Sequence, residues 1–283
     1  TWGLIRNAER RRRPDGSLMD TLIVHTGGIG DFLLTCPTIE ALAKDSRITL
    51  AGHVDRLALA VDGGLAQHAD SLDSIDFHSL FAAPTEKLVA YLAPFDRIIV
   101  WMTDEDRTIE RTLHELTTAS VLVFPGLPPR DHAVHASEYY RLCLGFPKLP
   151  EFRLDIPNER MIHDVIIHPG SGSRDKNWPL ERYQELADGL EKGGRTVTWC
   201  MGPAETERLR GTRLDNTLEC DTLSELARSL AGSILYIGND SGITHLAAAV
   251  GLSTSAVFGP TVPKIWAPRG TPVPLPPRTP SPM

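Results

Sequence analysis

Short β-branched runs alternating with helical patterns constrain this chain more than any other feature. "TLIVHT", "RITLAGH", "SIDFH", "RIIVWM" and "SVLVF" read as strands, separated by segments such as "TEKLVAYLAPF" and "DRTIERTLHEL". Strands of this kind interleaved with helices predict a parallel sheet covered on both faces. A second series begins near Asp164 with "DVIIHPG", "TVTWCMG", a short strand near Thr217, "ILYIGND" and "TSAVFG". Pro179 opens the helical pattern "PLERYQELADGLEK", in which Leu180, Tyr183, Leu186, Ala187 and Leu190 share one face before Gly193 ends it. Thr222 and Glu225 make a capping-box pattern ahead of "LSELARSL".

Two such series in 283 residues predict an α/β protein of two Rossmann-like, doubly wound domains facing a central cleft. The domains are expected at residues 19–146 and 161–270. Between them, residues 147–160 hold Pro147, Pro150 and Pro157 with little periodicity and read as a linker. Residues 1–18 read as a basic, flexible leader carrying Arg10, Arg11, Arg12 and Arg13, without the apolar core of a secretory signal. That leader is either a solvated arm or a contact to anionic lipid headgroups. Residues 271–283, "TPVPLPPRTPSPM", read as an extended or disordered proline-rich tail.

A net charge of -7 argues against a nucleic-acid partner, so an anionic ligand must meet a local positive site. Cys36, Cys143, Cys200 and Cys220 form no CxxC pair, have no histidine at zinc-finger spacing, and read as reduced cytosolic thiols. The longest apolar candidate, "ILYIGNDSGITHLAAAVG", is interrupted by Asn239, Asp240 and His245 and is not a bilayer span.

Three stretches have residues suited to chemistry. In "HPGSGSRDKNWP", Gly170, Ser171, Gly172 and Ser173 let a loop bring N–H groups toward an anion, and Lys176 adds a mobile cation. The same stretch also reads as a polar turn with a surface lysine. In "NDSGITHLAAAVG", a helix beginning near Ser241 offers unpaired N–H groups and the positive end of its dipole, with His245 on the same face. The alternatives there are a buried histidine bonded to backbone and an N-cap role for Asp240. In "HTGGIGDFLLTCPTIEALAK", a glycine turn leads from strand to helix without the full GxGxxG spacing; Asp31 caps the helix or acts as a base, and Pro37 kinks it or marks its start.

Taken in order with "FGPTVPKIWAP", these stretches resemble the ADP-heptose:lipopolysaccharide heptosyltransferases, glycosyltransferase family 9, over roughly Met19 to Pro268. The resemblance implies a GT-B fold, with the acceptor on the first domain and the nucleotide sugar on the second. It implies an inverting, metal-independent transfer, with an ADP-sugar as co-substrate and no cofactor. The expected acceptor is a lipopolysaccharide core or other envelope glycan, reached in the cytoplasm or peripherally at the inner membrane. Asp31 matches the family's general base. Ser171, Ser173, Lys176, Asp240, Ser241, Gly242 and His245 match its diphosphate site. Met201 and Gly202 would pass near adenine, and Glu205 would take the ribose, with Glu207 an adjacent alternative register.

Three features depart from the family. The chain ends in the proline-rich tail where a helix usually returns to the first domain, the acceptor side carries the acidic run Thr103 to Arg107, and the leader, residues 1–18, has no counterpart in the motif core. Competing readings are a nucleotide-sugar-binding module without transfer and a Rossmann oxidoreductase.

Overall fold

The structure is a computed structural model describing residues 13, 15–129, 134–149, 151–157, 163–202, 205 and 214–270. The chain divides into two compact units between Asp155 and Ile156. The leader up to residue 12 and the proline-rich tail lie outside the described residues.

The first unit runs β1 (Met19–His25), α1 (Ile29–Ala43), β2 (Ser46–Gly52), α2 (Val54–Asp62), β3 (His68–Ser71), α3 (Glu86–Leu92), β4 (Arg97–Trp101), α4 (Thr108–Leu116), β5 (Ser120–Phe124) and α5 (Ala136–Cys143). Its five strands are all parallel, in the order β3-β2-β1-β4-β5. Leu22 and Val24 of β1 and Ile98 and Val100 of β4 pack on Leu88 and Leu92 of α3 and Ile109 and Leu113 of α4. Alternation sends Ile23 and Ile99 to the opposite face.

"SIDFH" is not a strand. The third strand is His68–Ser71, upstream, and Phe77–Phe81 is a 3-10 turn entered through Asp76 at φ 55. Burial explains the difference. The turn tucks Ile75, Phe77 and Leu80 beneath the sheet, an apolar content that mimics a strand, while the real edge strand is polar and half-exposed.

α1 is continuous from Ile29 through Pro37 to Ala43, so the proline does not set its start. The acidic run serves its own helix. Asp104 accepts from Ile109 N–H at 2.9 Å and Glu110 N–H at 3.0 Å, holding the first turn of α4. Arg13, expected in a solvated arm, instead donates to Asp20 at 2.7 Å and Asp96 at 2.9 Å.

The second unit runs β6 (Val165–His168), α6 (Leu180–Lys192), β7 (Val197–Cys200), β8 (Thr217–Leu218), α7 (Leu223–Ala231), β9 (Leu235–Asn239), α8 (Gly242–Ala249), β10 (Ser253–Val257) and α9 (Pro263–Trp266). Its strands are again parallel, in the order β10-β9-β6-β7-β8. Tyr183 and Ala187 of α6 pack on Val165, Ile167, Val197 and Trp199. The Thr222–Glu225 capping box is formed.

Each sheet reverses strand order once: between β1 and β4 in the first unit, between β6 and β9 in the second. Open parallel sheets bind ligands at the carboxyl edge beside this reversal, where neighbouring loops splay apart. The loops after β1, β6 and β9 carry the three stretches singled out above.

Candidate functional site

At the first reversal, His25 ends β1 and Gly27 and Gly28 turn the chain into α1. Asp31 is the third residue of that helix, and its Oδ2 accepts from Gly28 N–H at 2.9 Å. Capping therefore occurs, as in the simpler of the two readings. The turn requires glycine at position 27, where a Cβ would sit 2.8 Å from His25 Cε1 and 3.0 Å from Asp31 Cβ. Arg56 fixes the same turn from α2, donating from Nη1 to Gly27 O at 2.6 Å.

His25 is a support the motif did not reveal. Its ring lies 5.4 Å from Phe32, 6.4 Å from Trp101 and 6.3 Å from Tyr140, centroid to centroid. Burial, aided by the nearby Arg56 charge, lowers its pKa to about 4. The unfolded chain takes up this proton near 6.5, so stability is full above that pH and falls as pH drops toward 4. The loss by pH 5 should be about 2 kcal/mol. Denaturant titrations of the wild type and His25→Phe at pH 7.5 and 5 check this: the variant should have the smaller pH dependence, and equal slopes would contradict the assignment.

At the second reversal, the loop after β6 is held by one buried side chain. Asn239 Oδ1 accepts from Trp178 N–H and from the Tyr183 hydroxyl, both at 2.9 Å. Its Nδ2 donates to Pro169 O at 2.9 Å and Gly170 O at 3.3 Å. The Ser171 hydroxyl reaches Ser173 O and Asn177 Oδ1 within the loop, at 2.6 and 2.8 Å. Asn239→Ala would strand these groups and should cost about 2–4 kcal/mol; a melting temperature unchanged from the wild type would contradict that role.

Lys176, at the end of the short turn Arg174–Lys176, crosses to Asp240 just after β9, with Nζ 2.9 Å from Oδ2. Thr261 also donates to that oxygen, at 2.6 Å, and His245 Nε2 lies 3.9 Å from Oδ1. Asp240 is thus not the N-cap. Ser241 is: its Oγ accepts from Thr244 N–H at 3.3 Å, while the Thr244 hydroxyl donates to Asn239 O. Gly242 follows as the first helical residue, so its N–H precedes the first intrahelical donor. The result is an ammonium group beside the positive end of a helix.

Known proteins share this segment. Residues 144–273 match Glycosyltransferase family 9 (heptosyltransferase). Over this segment, just under half of its length, the chain is similar to glycosyltransferase family 9. Among curated proteins of the family, Lipopolysaccharide heptosyltransferase 1 of Escherichia coli (strain K12) is 30% identical over 149 residues, 47% of this chain and 46% of that protein. The chain therefore aligns with about half the length of the curated relatives it matches.

Two solved structures share the fold. The glycosyl transferase family 9 from Veillonella parvula superposes with a TM-score of 0.72 at 17% identity, covering 91% of this chain and 86% of that one. E. coli heptosyltransferase WaaC with ADP-2-deoxy-2-fluoro heptose gives 0.65 at 20%, covering 91% and 94%. Both sheets of this chain accordingly have the fold of a GT-B protein.

The structure brings Ser171, Lys176, Asp240 and Ser241 of the family 9 segment together around the Asn239 hub. Met201, Gly202 and Glu205 lie after β7, the strand beside β6. Glu205 is buried, and its Oε2 accepts from Gly202 N–H at 3.1 Å. Contact with His168, opposed by burial and aided by that N–H, holds its carboxyl below the ordinary range. Glu207, the other register, lies outside the described residues. Asp31 belongs to the first unit. Among the described residues, no three His, Cys, Asp or Glu side chains gather as a metal site, and no helix is long and apolar enough to cross a membrane.

Sequence reasoning missed Asn239, Thr261 and His25. Asn239 immediately precedes the "DSG" of the motif, and a buried asparagine at the end of a strand is the signal that could have found it.

Proposed function

We propose that this chain belongs to glycosyltransferase family 9 and transfers a heptose or related sugar from an ADP-sugar to a lipopolysaccharide core or other envelope glycan, inverting the anomeric carbon without a metal. The observation that carries this reading is the placement of Lys176 beside the N-terminus of α8 at the strand reversal of the family 9 segment. The names of the curated relatives supply the sugar, and the WaaC complex supplies the kind of donor.

In this reading the Asp31 carboxylate accepts the proton of the acceptor hydroxyl as that oxygen attacks the anomeric carbon. The bond from that carbon to the β-phosphate oxygen breaks, and its electron pair leaves with ADP. Attack on the face opposite the leaving group inverts the centre. Lys176, the dipole of α8 with the N–H of Gly242, and His245 stabilise the charge that grows on the diphosphate. Ser171 and Ser173 keep the loop close to the phosphates.

Asp240 serves the diphosphate site indirectly. A buried carboxylate repels phosphate, so it acts through Lys176, fixing the ammonium from behind. Met201 and Gly202 line the adenine, and Glu205 accepts the ribose hydroxyls. The reaction is placed at the cytoplasmic face of the inner membrane, where a glycolipid acceptor is reached peripherally.

A panel of ADP-, UDP- and GDP-sugars tests the reading, scored first by thermal shift and then by turnover. ADP-heptose should stabilise the protein and, with an envelope acceptor, release ADP. Stabilisation without product would favour a binding module, and a response to NAD alone would favour an oxidoreductase.

A further inference from the structure

His168 ends β6 as a buried residue with no part in the chemistry above. Its Nε2 lies 3.8 Å from Glu205 Oε2, with the two side chains only 6% and 8% exposed. Its Nδ1 is buried and finds no hydrogen-bond partner among the described residues. At 3.8 Å the pair attracts by charge and dipole rather than through a formed hydrogen bond.

Glu205 is boxed in on its other sides. Gly202 N–H donates to Oε2 at 3.1 Å, and a Cβ on Gly170 would overlap the carboxyl. Position 170 must therefore be glycine for the carboxylate to lie there. An ionised carboxylate has about four acceptor sites, and the N–H of Gly202 fills one of them. Glu205 follows the second strand of its unit, β7, while the phosphate-loop candidate follows the first, β6. In doubly wound nucleotide-binding units, an acidic residue placed there accepts the ribose hydroxyls.

We propose that His168 is a positioning residue that holds the Glu205 carboxylate against Gly170 and Gly202, and so makes the second unit select nucleoside diphosphates with an intact ribose diol. This rests on the nucleotide-sugar reading. His168 touches no substrate; it acts only through Glu205. Removing the imidazole leaves Glu205 without its lateral partner, and the carboxylate no longer meets the two hydroxyls at once.

The test measures ADP and 2′,3′-dideoxy-ADP binding by calorimetry on the full chain. Wild type should prefer ADP by about tenfold or more, the usual gain from hydroxyls bonding a charged acceptor. Glu205→Gln should lose most of that preference. His168→Gln keeps an amide donor near the Nε2 position and should retain it. His168→Asn cannot reach Glu205 and should fall to the level of Glu205→Gln.

Equal weakening of both nucleotides in His168→Asn, with the preference intact, would overturn the positioning role, as would identical behaviour of the Gln and Asn variants. Wild type that binds ADP and dideoxy-ADP equally would overturn the inference while leaving ADP-sugar transfer standing. Wild type that binds neither would contradict both.

Discussion

Asp31→Asn should lower turnover by about 10²- to 10⁴-fold, the usual contribution of a positioned general base, while the protein melts almost where the wild type does. The carboxylate Oδ2 accepts from Gly28 N–H at 2.9 Å, and an asparagine oxygen can accept the same bond. What is lost is the negative charge at the helix start, about 0.3–1 kcal/mol, and the capacity to take a proton. ADP binding should be unchanged, since the residues proposed to hold the diphosphate belong to the other unit. Asp31→Ala removes the cap as well and should lower both stability and turnover. Turnover of Asp31→Asn near the wild-type rate would leave Asp31 as a cap alone.

Lys176→Ala should fail in two ways at once. Asp240 is buried, and it receives Lys176 at 2.9 Å and Thr261 at 2.6 Å on the same oxygen. Stranding one charge of a buried pair costs about 3–5 kcal/mol. The lysine side chain is 30% exposed, so water takes over part of its role, and a loss of about 1–3 kcal/mol is the better expectation. In a chain of this size that lowers the melting temperature by a few degrees.

Turnover should fall by about 10²- to 10³-fold, as when one donor to a developing charge is removed. The double variant Lys176→Ala/Asp240→Asn separates the effects. Neutralising Asp240 removes the stranded charge, so stability should recover, whereas turnover should not. Recovery of both would mean that the lysine serves only to neutralise Asp240.

Much of this protein can be read from its amino-acid order, for identifiable reasons. Central strands such as "TLIVHT" and "RIIVWM" are buried on both faces and so appear as unbroken apolar runs. The edge strand His68–Ser71 has no such run because one side faces solvent, and the apolar "SIDFH" downstream imitates it. The helices α2 and α5 carry weaker boundary signals and do not stand out from the amino-acid order.

The site divides in the same way. Asp31, just inside α1, and Ser171, Lys176 and Ser241 lie in or beside turns whose glycine and serine content is local and visible. Their partnerships are not local: Lys176 meets Asp240 across 64 positions, and Asn239 reaches back 70 to Pro169. Sequence order cannot pair such residues until strand order brings β6 beside β9. The acidic run Thr103 to Arg107 reads in sequence only as a departure on the acceptor side; its local role, Asp104 holding the first turn of α4, becomes visible in the structure.

The most direct test of nucleotide-sugar transfer is to incubate the purified chain with ADP-heptose and a heptose-free lipopolysaccharide core acceptor, following ADP release and acceptor mass together. Transfer predicts one ADP released for each heptose gained by the acceptor, with the anomeric configuration inverted in the product. ADP-heptose binding with no gain in acceptor mass, in correctly folded protein and across a set of envelope acceptors, would contradict it.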